Sequence, residues 1–147
     1  MSIFSMLETS GSAMAAQRQR AEVVAANMAN ADTTRTQDGG PYRRKEVVFA
    51  SSGSSPFRLL LAGFKRLTGR ATPAVRVARI VNDPAPPVMR YEPAHPDADK
   101  NGYVAYPNIN PIEEMVDLMG AVRSYQLNAS AMSASKQMIQ GALDILK

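Results

Sequence analysis

An α+β fold is expected, with long N- and C-terminal helices pairing as a coiled coil and a small β-rich middle module between them. Three observations predict it. Apolar residues recur at helical spacing at both ends of the 147-residue chain, and Val-, Ile- and Tyr-rich runs separated by turn signals fill the middle. The composition, 45% hydrophobic but only 6% aromatic and without Trp, suits helices better than a large compact core. A chain of this length has room for one ordinary domain, or for a small one flanked by long elements. It divides into an N-terminal core helix and turn (1–34), a β-rich middle module (35–107) with a basic insertion (51–72), and a C-terminal core helix (108–147).

The first helix is expected from about Ile3 to Ala31. Leu7, Met14, Ala21 and Met28 recur every seven residues, with Val24 and Ala31 at intervening heptad positions. Ser10 and Gln17 occupy the other intervening positions, which weakens the seam. The pattern ends in "NMANADTTRTQDGGP", Asn27 to Pro41, where Asn, Asp, Gly and Pro mark a helix stop and a loop. Asn27 and Asn30 are suited to bonding free carbonyls or the following turn, and they are equally candidates for contacts between subunits.

Four strands are expected in the middle: Lys45 to Phe49, Ala74 to Val81, Val88 to Tyr91 and Gly102 to Tyr106, bounded by "NDPAPP" and "DKNG". Between the first two, "SSGSS" reads as a linker. Phe57, Leu60, Leu61, Phe64 and Leu67 then follow helical spacing among Arg58, Lys65, Arg66 and Arg70. Such a basic amphipathic segment, 57–70, fits an anionic membrane surface or a partner; a short packed helix is the plainer reading, because Gly63 and Gly69 weaken it.

The last helix has a well-marked start. Asn110 can cap it, Pro111 fits its first position, Glu113 sits where a capping-box acid reaches back, and Glu114 favours the positive end of the helix dipole. Met115, Leu118, Val122, Tyr125, Ala129, Met132, Lys136, Ile139, Leu143 and Leu146 then alternate at spacings of three and four. At ~1.5 Å per residue the helix from Pro111 to Leu146 extends roughly 54 Å. A small β-module cannot cover it, so the N-terminal helix is the expected mate. Ile112, Val116, Met119, Leu127, Met138 and Ile145 lie off the seam, and Arg123 and Lys136 are the only charges between Met119 and Leu143. A helix this poor in charge on every side is expected to pack against several neighbours, either other copies or sibling chains. Head-to-tail contacts that do not close into a ring build helical fibres. Before assembly the ends are expected to be poorly ordered, since long helices without tertiary packing are only marginally stable.

The net charge of +4 is unevenly spread: eleven Lys/Arg against three acids between Arg35 and Arg90 give +8, which leaves −4 elsewhere. That pattern favours electrostatic contact with an acidic surface or between copies. A pI near 9.6 makes a nucleic-acid or membrane-surface module the alternative reading. Against nucleic acid, the basic residues are not interleaved with stacking aromatics and the helices are poor in Lys and Arg. The longest apolar run, Leu59 to Phe64, is far below the ~20 residues that span a bilayer. Glu8 interrupts the apolar residues of the N-terminus, so a cleaved signal is not expected.

Equipment for catalysis is lacking. Cysteine is absent, and His95 is the only histidine. Asp97 and Asp99 read as a polar turn, and "DADKNG" lacks the downstream glutamate of a calcium loop. Neither a cofactor nor a metal is expected.

"SGSAMAAQRQRAEVVAANMANADT", with Asn27, Asn30, Ala31 and Thr33, and "NGYVAYPNINPIEEMVDLMGAVRSYQLNASAMSASKQM" resemble the two ends of bacterial flagellar basal-body rod proteins. "DGGPYRRKEVVF" and "HPDADKNGYVAYPNINPIEEMVDL" resemble the proximal-rod members in particular. The likeness covers about 1–49 and 74–147, and the insertion 51–72 departs from it. It implies a structural, non-enzymatic subunit of the proximal rod, the drive shaft of flagellar motility, whose terminal helices form a tubular core. Implied partners are self copies, other rod subunits, the inner-membrane ring with its adaptor protein, and the flagellar type III export apparatus. Nucleic acid is not among them. The implied location is the periplasmic rod, reached without a cleaved signal peptide. Candidate assembly residues are Leu7, Met14, Val24, Asn27, Met28 and Asn30 near the N-terminus. Near the C-terminus they are Asn108, Asn110, Pro111, Met115, Val116, Leu118, Met119, Val122, Tyr125, Met132, Ile139 and Leu143.

Overall fold

The computed structural model describes residues 3–51 and 74–145. Helix α1 (Ile3–Ala29) leads to β1 (Lys45–Ser51), β2 (Val75–Asn82), β3 (Val88–Tyr91), β4 (Tyr103–Tyr106) and helix α2 (Pro111–Ile145). This is the expected α+β arrangement of two long terminal helices and a small β-containing middle. The basic amphipathic segment expected at 57–70 lies outside the described residues.

Alanine-rich α1 runs 27 residues, about 40 Å, before the Asn- and Asp-rich stretch ends it. Asn30 Nδ2 donates to the Ala26 carbonyl at 2.8 Å, the role expected of an asparagine at a helix end. At the start of α2 the Ile112 amide donates to Asn110 Oδ1 at 3.1 Å, and Asn110 Nδ2 donates to Glu113 Oε1 at 3.1 Å. The acid thus steadies the capping side chain instead of the backbone amide of a standard capping box.

Strands β1 and β2 form one antiparallel pair, and β3 and β4 another. Val48 pairs with Arg79 and Phe49 with Val77, so Ala78 is an extra, bulged residue. The bulge explains why "VRVARIVN" breaks strict alternation. It restores the phase after Arg79, so that Ile80 and Asn82 share a groove with Lys45 and the α1 residues Gln19, Glu22, Val23 and Ala26. Strand β1 also continues past the expected Phe49, since Ala50 and Ser51 pair with Arg76 and Val75.

The turn before β4 is built around Asp99, whose Oδ1 accepts from the amides of Asn101 at 2.8 Å and Tyr103 at 2.9 Å. Gly102 has φ +82°, and a Cβ there would lie 2.9 Å from Tyr91 Cε2. Asp97 ties this loop to the exit of α1 by accepting from Thr34 Oγ1 at 2.8 Å, with Arg35 at 3.7 Å. Val104 is buried, and the Tyr106 hydroxyl donates to Glu92 at 2.9 Å while the Arg90 guanidinium lies 4.5 Å from its ring centre.

The two helices are antiparallel neighbours. Asn27 meets Glu114, Arg20 meets Asp117 at 3.1 Å, a Cβ on Gly11 would lie 3.6 Å from Met132 Cε, and Ser135 Oγ donates to Met6 Sδ at 3.4 Å. The expected seam needs correcting, however. Ala121 and Ser135, not Val122 and Lys136, are the buried positions, and Met115, Val122, Tyr125 and Leu143 are exposed. Leu118, Met132 and Ile139 stay half-buried, so one of the two expected rows is kept and the other is replaced by Glu114, Ala121, Asn128 and Ser135. The α1 side is likewise made of small or polar groups, with Ser10, Ala16, Val24 and Asn27 buried. The interface is thus offset by one residue in that row from the one periodicity indicates, and its buried positions include the polar Glu114 and Ser135.

Candidate assembly surface

Glu114 is the pivot of the site. It stands in the first turn of α2, 1% exposed, where Arg44 Nε donates to its Oε1 at 2.6 Å and Asn27 Nδ2 donates to its Oε2 at 3.0 Å. Asn27 is saturated: Nδ2 also donates to the Lys45 carbonyl at 2.9 Å, and Oδ1 accepts from the Lys45 amide at 2.9 Å and the Tyr42 hydroxyl at 3.1 Å. Arg44 also bonds Glu46 at 2.5 Å and faces Asp83 at 3.8 Å. One cluster therefore joins the end of α1, the approach to β1 and the start of α2. Burial, and then the Glu114 charge, raise the Tyr42 phenol above its usual range. Burial works against the charge of Arg44, but its bonds and attraction to Glu114 and then Glu46 hold its pKa above the usual value.

This fixes what α2 shows to the outside. With Glu114 inward, Ile112 (75% exposed), Met115, Val116, Met119 and Val122 (44%) line the outer side of its first three turns. Arg123 is the first charge after Asp117, and Asp117 is paired with Arg20. Farther along, Tyr125, Leu127, Met138, Leu143 and Ile145 are also exposed. Five large apolar residues so close together exceed the scattered apolar groups of an ordinary surface. Among the other candidates, Asn108, Asn110 and Pro111 are exposed, and Leu7, Met14, Met28 and Asn30 are half-buried. Val24 is buried within the chain.

Two of these placements depart from what the residues alone implied. The Asn27 side chain bonds across the fold to Lys45, Tyr42 and Glu114 instead of within its own helix end, and Glu114 is a buried ion-pair partner as well as a helix-start acid. Arg44, counted in the basic middle, is spent on that pair, and Arg90 stacks on Tyr106.

The model of the family described as "Flagella basal body rod protein" matches residues 7–36, and that described as "Flagellar basal body rod FlgEFG protein C-terminal" matches residues 100–145. The chain is 41% identical to the flagellar basal-body rod protein FlgC of Borreliella burgdorferi, over 100% of this chain and 99% of the relative. It is 43% identical to FlgC of Bacillus subtilis over the whole of both chains. The chain belongs to the FlgC family of flagellar basal-body rod proteins. FlgC of Salmonella typhimurium is 39% identical over 99% of this chain and 98% of its own. The resemblance seen in the sequence is thereby confirmed, and membership in the FlgC family makes the chain a structural subunit of the basal-body rod. The two matched spans carry α1 with its exit and β4 with α2, the segments that build the helix pair.

Proposed function

We propose that this rod subunit assembles helically through its terminal helices and carries motor torque in the proximal rod. The observation that carries the reading is the row Ile112, Met115, Val116, Met119 and Val122, which is free of charge and uncovered among the described residues. A head-to-tail contact through such a row, repeated along an axis without closure, makes a shaft rather than a ring. Load would then be shared by many interdigitated side chains over a large area. In this division of labour 1–34 and 108–147 build the core and 35–107 forms the surrounding module. Leu7, Met14, Met28 and Asn30, together with Asn108, Asn110 and Pro111, extend the contacts at the subunit's edges.

The same reading puts the subunit in the periplasm, delivered by the flagellar type III export apparatus without a cleaved signal. Its neighbours are self copies, other rod subunits and the inner-membrane ring with its adaptor. Its role is mechanical, not enzymatic. His95 serves a turn, accepting from the Asp97 amide through Nδ1 at 3.1 Å, and the Asp97 and Asp99 carboxylates are engaged in loop bonds. The test is complementation of a strain lacking the subunit with the Val122→Asp variant. Loss from isolated basal bodies, with the protein still expressed and folded, is expected; normal rods would refute the reading.

A further inference from the structure

The turn before β4 holds a reactive dipeptide that helix packing leaves unused. Asn101 is the only asparagine of the chain followed by glycine, and it is exposed. The backbone amide after an asparagine can attack its side-chain carbonyl, and glycine, with no Cβ in the way, obstructs that approach least. In the folded chain the attacking amide is held elsewhere. The Gly102 amide donates to the Asp99 carbonyl at 3.0 Å, and the Gly102 carbonyl accepts from the Glu92 amide at 2.9 Å. The Asn101 and Tyr103 amides on either side donate to Asp99 Oδ1 at 2.8 Å and 2.9 Å, and the Asp99 amide donates to the Tyr103 carbonyl at 2.8 Å. Tyr91 and Pro93 close over the Gly102 α-carbon, where a Cβ would meet them at 2.9 Å and 3.2 Å. The Gly102 nitrogen therefore cannot swing towards Asn101 Cγ until its bond to Asp99 opens.

We propose that Asn101 is a deamidation site and that Asp99 guards it by binding the three successive amides of Asn101, Gly102 and Tyr103. When the turn opens, the Gly102 nitrogen loses its proton to solvent and bonds to Asn101 Cγ, and the side-chain nitrogen leaves as ammonia. The five-membered imide then adds water. Opening at Cγ gives aspartate in an unaltered backbone; opening at the main-chain carbonyl gives isoaspartate, whose backbone runs through Cγ and is one carbon longer. No electrons change hands, and water is the only co-reactant. Either product adds a negative charge beside Asp97 and Asp99. The longer one also takes Tyr103 out of reach of Asp99 Oδ1, and so loosens the Tyr91–Tyr103 pairing at the start of β4.

The full-length purified chain is incubated in neutral buffer and in concentrated urea. Mass spectrometry of the peptide carrying Asn101 follows the exchange of NH2 for OH, with aspartate and isoaspartate separated by chromatography. Because the reaction proceeds only from the open turn, the parent should convert at least about tenfold more slowly in buffer than in urea. In buffer, Asp99→Ala should convert at least about fivefold faster than the parent, whereas Asp99→Asn, which keeps an Oδ1 acceptor, should stay within about threefold of it. Thr34→Val removes the bond from α1's exit to Asp97 without touching Asp99, and should stay within about twofold of the parent. Equal rates for the parent in buffer and in urea would overturn the guard, and this comparison stands even if Asp99→Ala unfolds the module. An Asp99→Ala rate no faster than the parent's would overturn it too, as would Asp99→Asn or Thr34→Val converting as fast as Asp99→Ala. No conversion at Asn101 in urea would overturn the site itself.

Discussion

Replacing Glu114 by alanine, with Glu113→Ala as its neighbour control, separates the buried pair from ordinary helix-start electrostatics. Glu114 is 1% exposed and accepts from Arg44 at 2.6 Å and Asn27 at 3.0 Å, whereas exposed Glu113 accepts only from Asn110 Nδ2 at 3.1 Å among the bonds described. Breaking one side of a buried ion pair costs ~3–5 kcal/mol. Arg44 is 23% exposed and keeps Glu46 at 2.5 Å, so the cost of Glu114→Ala belongs near the lower end, about 3 kcal/mol. Losing Glu113 costs about 0.5 kcal/mol, the size of a surface capping contact. With a urea dependence of about 1.5 kcal/mol per molar, the midpoints should fall by about 2 M and about 0.3 M respectively. The assay is equilibrium urea unfolding followed by far-ultraviolet circular dichroism. Midpoints for the two variants within about 0.3 M of each other would refute the argument that Glu114 is held by a desolvated pair.

Three further outcomes are expected. Val122→Asp should change the stability of the isolated chain by less than about 1 kcal/mol, because Val122 is 44% exposed, yet abolish incorporation into basal bodies; Leu118→Asp, at a half-buried position, should do both kinds of damage. Thermal melting and basal-body composition distinguish the two. Gly102→Ala places a methyl 2.9 Å from Tyr91 Cε2 at φ +82°, and should cost about 1–3 kcal/mol, read as faster hydrogen exchange at Tyr103 and Val104. The Tyr42 phenol is raised above 10.0 by burial and then by Glu114. The neutral phenol is the form that folding favours, so its contribution is fully present below pH 10.0 and is lost as pH rises through the higher folded value. Tyr42→Phe should remove that part of the alkaline loss of stability, measured by urea midpoints from about pH 8 to 11.

Local signals made much of the fold legible. The Asn110-Pro111 cap, the Asn-rich end of α1 and the Val- and Tyr-rich strands each act through neighbours a few residues away, and the structure has elements where they indicate them. The single-residue bulge at Ala78 was not legible, because it depends on pairing with β1. Nor was the rotation of α2. Periodicity marks which residues are apolar, but Glu114 bonds Asn27 across 87 positions and Arg44 across 70, partners that no local pattern reveals. A clue was present in a glutamate between another acid and Met115, directly before the apolar seam. Only the fold brings Arg44 to it and changes its reading from helix-start charge to buried pair. Of the outward row, Met115 and Val122 were expected against α1, whereas Ile112, Val116 and Met119 were already expected to face other chains, and all five are exposed.

Cryo-microscopy of isolated basal bodies, at a resolution that separates side chains, tests the central claim most directly. The account predicts that this chain lies in the proximal rod with Ile112, Met115, Val116, Met119 and Val122 covered by helices of adjacent subunits. A rod that contains the chain but leaves those five side chains facing water would contradict it.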